Sequence, residues 1–118
     1  MTALQMKYLL TYLNLRENER SVTSVAIELG VNKSTVSRVF TLAIKEGILD
    51  EKHQVTEKGR EEVQQFSMKL QEVIELLCNL GIEEKRAIEE AYQMIGACSD
   101  GTIQAILEKW KELEISCI

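Results

Sequence analysis

The sequence predicts a mainly α-helical fold with one short two-stranded hairpin near its middle. Three observations carry this reading. The chain of 118 residues contains no Pro, its apolar residues recur at helical spacing over most of its length, and each periodic stretch is bounded by residues that start or stop a helix. With 45% hydrophobic and 28% charged residues the composition is that of a globular chain, which excludes disorder. A chain of this length closes a core without disulfides or a structural metal.

Taken in order, Leu4, Tyr8, Tyr12 and Leu15 follow Thr2, a good N-cap, and predict a first helix that ends in the polar run 16–20. A second helix runs from Val22 to Leu29 and stops at Gly30. Asn32 is a cap for a third, from Lys33 to Glu46, ending at Gly47. Ile48-Leu49 and Gln54-Val55 flank the polar stretch from Asp50 to His53 and read as two very short strands joined by a tight turn.

Thr56 then caps a long helix in which Val63, Phe66, Leu70, Val73, Leu77 and Leu80 form a heptad-like seam closed by Gly81. Two more helices follow, Glu83 to Ala97 and one capped by Ser99 that carries Ile103, Ile106, Trp110 and Leu113. The expected division is 1–60 and 61–118, the second part being a three-helix dimerization region. Charge divides along the same line. Residues 1–60 carry nine basic and seven acidic side chains, and the remainder carries five and twelve. The net charge near -5 therefore hides a basic half able to meet phosphate and an acidic half that faces away.

The most informative stretch is 25–39. Val25, Ala26, Leu29, Gly30, Val31, Val36 and Val39 stand where a helix-turn-helix requires apolar or small residues. Ala26 lets two helices cross closely, and Gly30 supplies the positive φ of the turn. The next helix then exposes Lys33, Ser34, Thr35, Ser37 and Arg38, a set that fits a B-DNA major groove, and Asn32 at its start can reach a base or a phosphate. No acid falls between Asn32 and Ile44, whereas a merely solvated face usually mixes signs. The hairpin makes the unit a winged helix-turn-helix, with Lys52 and His53 at the wing tip as further candidate DNA contacts.

The order of elements resembles the diphtheria-toxin-repressor-like family, including its manganese transport regulators. The carriers are 25–31, Val36-Ser37-Arg38-Val39, Val55-Thr56-Glu57-Lys58-Gly59, Leu80-Gly81-Ile82, and the stretch from Glu90-Ala91 through Ser99-Asp100. The resemblance implies a homodimeric repressor whose winged helices read a palindromic operator and whose tail helices form the dimer interface. It also implies divalent iron or manganese held between the two halves. This sequence departs from that pattern: the ligand positions fall on Tyr92, Ile95, Gly96 and Leu70, and on or near Tyr8 and Thr11, none of which offers a carboxylate, imidazole or thiolate. The expectation is a sequence-specific DNA-binding transcription regulator that uses no metal and no other cofactor, with Tyr92 and Ile95 packed as apolar residues.

No catalytic constellation emerges. The one His lies in the wing, no Ser or Cys has a base partner in its sequence context, and no Gly-rich phosphate loop is present, so no enzymatic activity is expected. Cys78, Cys98 and Cys117 lack CxxC spacing and are expected to be reduced thiols. No apolar run is long enough to span a bilayer and no leader pattern precedes the first helix, so a cytoplasmic location with no membrane partner is expected. The sequence names no small-molecule effector. The reading from another class is a winged-helix module that binds a protein and no DNA.

Overall fold

Thr2 opens α1 (Ala3–Asn14) through a reciprocal cap, its hydroxyl accepting the Gln5 N–H while the Gln5 side chain accepts the Thr2 N–H. The structure, a computed structural model, describes residues 1–116. Cys117 lies outside the described residues. They form six α-helices and one 3-10 turn, Glu17–Glu19. Two compact units result, Met1–Phe66 and Ser67–Ile118.

In the first unit α2 (Val22–Leu29) is capped by the Ser21 hydroxyl, which accepts the Ser24 N–H at 2.9 Å. Gly30 then turns the chain at φ 65°, and the Val31 N–H reaches back to the Ala26 carbonyl at 3.0 Å. This closes α2 and starts α3 (Lys33–Lys45) after two residues. One face of α3 sinks Val36, Val39, Phe40 and Ala43 against Leu9 and Tyr12 of α1 and Val25 and Ala26 of α2. Phe40 is the largest fully buried side chain in this core. The Tyr12 ring meets it edge-on at 4.9 Å, and the His53 ring does the same at 5.1 Å. Arg20 is held at the base of the unit, donating to the Leu13 and Leu15 carbonyls and lying over the Tyr12 ring.

The expected two-stranded wing does not form. Among the described residues there is no strand, only a single antiparallel bridge between Leu49 and Val55. The bonds from the Thr56 N–H to the Ile48 carbonyl and from the Asp50 N–H to the Gln54 carbonyl, both at 2.9 Å, make that one bridge. The N–H groups of Ile48 and Leu49 turn instead to the Ala43 carbonyl at the end of α3, which ties the first flank to the helix exit. Between the flanks the Asp50 carboxylate accepts the N–H groups of Lys52 and Gln54, which closes a tight Asx-type turn with His53 at φ 61°. Two residues on each side leave no length for a ladder. The fold class is mainly α, with a turn in place of the predicted hairpin.

Thr56 joins α3 to α4 (Glu57–Asn79). Its hydroxyl donates to the Gly47 carbonyl and accepts the Gly59 N–H at 2.9 Å, so one side chain fixes the exit of α3 and the entry of α4. The predicted seam on α4 is shared out: Val63 and Phe66 pack on the first unit's core, Leu70, Val73 and Leu77 are buried in the second, and Leu80 is 63% exposed. The position of Leu80 follows from Gly81, whose φ of 94° ends the helix there.

The second unit adds α5 (Glu84–Ala97) and α6 (Asp100–Ser116). Its core is Leu70, Val73, Leu76, Leu77, Ala87, Ala91, Ile103 and Leu107. Lys69 on α4 pairs with Asp100 at 2.6 Å and Lys111 on α6 pairs with Glu72 at 3.0 Å, ties that fix α6 to α4. The Lys69 hydrogen bond and charge hold the Asp100 carboxyl below its ordinary value.

Candidate nucleic-acid interface

Helix α3 divides into two opposed faces. At about 100° per residue, buried Val36, Val39, Phe40 and Ala43 cover an arc of roughly 100°. Ser34, Ser37, Arg38, Thr41 and Lys45 cover a similar arc of about 100° on the opposite side, and all five are exposed. The core contacts therefore fix which side chains face outward. Lys33 and Asn32, both exposed, flank this stripe in the first turn, and Thr35 is half-buried at its edge.

Electrostatics add to the geometry. Lys33, Arg38 and Lys45 make no ion pair with another described residue. The first turn of α3 holds no acid. Asn32 occupies the N-cap position without a capping hydrogen bond from its side chain, whereas Thr2, Ser21, Thr56 and Ser99 each accept a backbone N–H at their own helix starts. The end of α3 thus keeps open N–H groups at the positive end of the helix dipole, beside a lysine. Such an end attracts phosphate oxygen.

The structure brings Ser34, Ser37 and Arg38 together on one stripe and leaves the turn residues apart in character. Lys52 stands exposed at the turn tip. His53 is half-buried, its ring against Phe40 and its carbonyl accepting the Tyr12 hydroxyl at 3.1 Å. Burial pushes the Tyr12 phenol above its ordinary value, with Arg20 opposing, so it stays a neutral donor. Sequence reasoning stopped the stripe at Arg38 and missed Thr41 and Lys45. The signal that finds them is the spacing 34, 38, 41, 45, which continues one helix face.

The positions matched to metal ligands are occupied by packing residues. Tyr8 is buried in the first unit, and the Thr11 hydroxyl donates to the Lys7 carbonyl. Leu70 is buried in the second unit, Tyr92 and Ile95 are half-buried there, and burial pushes the Tyr92 phenol up. Among the described residues no three His, Cys, Asp or Glu side chains gather for a metal ion. No helix among them is long and apolar enough to cross a membrane.

A family model described as wHTH-PRTase associated matches residues 9–94. This supports the winged helix-turn-helix part of the expected resemblance and does not extend to the diphtheria-toxin-repressor-like family. Among solved structures, the hypothetical protein SSo2273 from Sulfolobus solfataricus is similar at 18% identity and a TM-score of 0.65, over 93% of this chain and 88% of that one. That likeness is one of fold. No curated protein matches the chain.

Proposed function

We propose that this chain, which belongs to the winged helix-turn-helix family described as wHTH-PRTase associated, is a sequence-specific, non-enzymatic transcription regulator that binds double-stranded DNA in the cytoplasm. It acts as a homodimeric repressor on a palindromic operator, with α3 in the major groove and no metal requirement. The observation that carries this reading is the acid-free outward stripe of α3, set opposite its core face and ending in an uncapped N-terminus. Phosphate contacts from Lys33, Lys45 and the helix end orient α3, and Arg38 and the serines reach base edges.

The dimer is supported by the distribution of apolar surface. Among the described residues, Met68, Leu80, Ile88, Ile106 and Leu113 of the second unit are large and exposed, against Leu4 and Ile27 of the first. A two-fold pair would place two recognition helices about one helical turn of DNA, or a multiple, apart. Selection of bound fragments from random duplex DNA, with the salt dependence of binding to the selected site, tests the reading. A family description that couples the winged helix to a PRTase favours one alternative, a module that docks on such a protein and ignores DNA. Retention of duplex DNA at low salt separates the two.

A further inference from the structure

Thr41 stands in the middle of the outward stripe of α3, one turn beyond Arg38, and is exposed. Its hydroxyl donates to the Ser37 carbonyl at 2.9 Å. Back-bonding of this kind is common for threonine in helices, but here it has a consequence for recognition. The hydroxyl proton is committed to the helix, so Thr41 has no donor left for the groove and offers its γ-methyl beside an oxygen that can only accept. Ser34 and Ser37, by contrast, have hydroxyls with no partner among the described residues. The stripe therefore presents polar groups, a guanidinium and one methyl.

We propose that Thr41 reads the C5-methyl of a thymine, an inference that rests on α3 being the DNA-recognition helix. The major-groove edge of thymine carries a methyl among the donors and acceptors of the other edges, and a threonine methyl is one of its apolar partners. Arg38 and Thr41 are separated by a rise of about 4.5 Å along the helix, close to the spacing of roughly 3.4 Å between stacked base pairs. The thymine read by Thr41 therefore lies within one or two steps of the base read by Arg38.

The test uses the full chain and a duplex selected from random DNA, in which each thymine is replaced singly by deoxyuridine, a change that removes only the C5-methyl. Wild type loses affinity about fourfold at one thymine per half-site, the factor for one buried methyl-sized group. Thr41→Ser, which keeps the hydroxyl and its bond to Ser37, binds the thymine and uracil duplexes alike, whereas Thr41→Val keeps the discrimination. Melting curves matching wild type show that both variants are folded. Indifference of wild type to uracil at every position, with Arg38→Ala still impaired, removes Thr41 from the readout and leaves the DNA-binding reading standing. Discrimination that survives in Thr41→Ser also overturns the assignment. Failure of wild type to retain any duplex overturns both readings together.

Discussion

Gly59, near the start of α4, lies directly against the main-chain carbonyl of Ile48, so that a Cβ at position 59 would overlap the carbonyl oxygen and come within 3.0 Å of the Ile48 Cα. The same carbonyl accepts the Thr56 N–H. The exit from α3 and the start of α4 are thus held at backbone contact, which only glycine permits.

Gly59→Ala is therefore expected to destabilise the first unit by about 1–3 kcal/mol, because backbone rather than a flexible side chain must move. Urea unfolding followed by circular dichroism checks this: the midpoint falls, and the slope stays near that of wild type. An unchanged midpoint would mean that the turn opens without cost.

Truncating the central ring of the same unit is expected to cost more. Phe40 is buried between Tyr12 and His53, and Phe40→Ala should remove about 3–5 kcal/mol of stability. Fusion of thermal unfolding with a loss of DNA retention at ambient temperature is the expected readout.

Tyr12 gives a pH dependence with a defined sign. Burial is the chief cause that raises its folded phenol above the ordinary value of about 10. The folded state thus holds its proton more tightly than the unfolded chain, and the stability this provides is complete below pH about 10 and lost as pH rises through the folded value. Tyr12→Phe, which keeps the ring on Phe40 but removes the bond to the His53 carbonyl, is expected to cost about 0.5–1.5 kcal/mol at neutral pH. It should also flatten the alkaline fall in stability, measured by urea unfolding from neutral pH up through and beyond pH about 10.

Much of this arrangement is legible in the sequence, for physical reasons that differ by residue. Gly30, Thr2 and Ser99 act through bonds to their own neighbours, so local spacing suffices to place them. Ile48-Leu49 and Gln54-Val55 have the strand character that predicts a wing, yet the N–H groups of Ile48 and Leu49 both go to the Ala43 carbonyl, bonds that spacing does not reveal, and only the Leu49–Val55 bridge forms. The sequence puts His53 at a wing tip as a candidate DNA contact, and its packing on Phe40 depends on a turn set by the Asp50 carboxylate. Thr41 and Lys45 were present in the pattern all along. Their outward position follows only once the core face of α3 is fixed.

The dimer is best tested where a change spares the fold. Trp110 is half-buried and lines a hollow with Glu72, Glu75 and Glu114, so a carboxylate there would disturb the second unit itself. Ile106 is 38% exposed on α6. Ile106→Lys should leave circular dichroism unchanged and shift the protein to monomer in sedimentation equilibrium at tens of micromolar, whereas an already monomeric wild type contradicts the proposed assembly.

Metal is expected to be irrelevant to DNA affinity, because a ligand that binds neither of two states shifts neither. Operator binding should agree within about twofold between chelator-treated protein and protein with excess manganese or ferrous iron. A tenfold gain, about 1.4 kcal/mol of coupling, would contradict this.

The most direct measurement is fluorescence-anisotropy titration of a selected duplex and an unrelated one over a range of salt, with wild type, Arg38→Ala and Lys45→Ala. Arg38→Ala is expected to lose about 1–3 kcal/mol on the selected duplex and little on the unrelated one, and Lys45→Ala to weaken both and lower the salt slope by about one per half-site. Equal affinity of all three proteins for the selected duplex would contradict the assignment of α3 as the recognition helix.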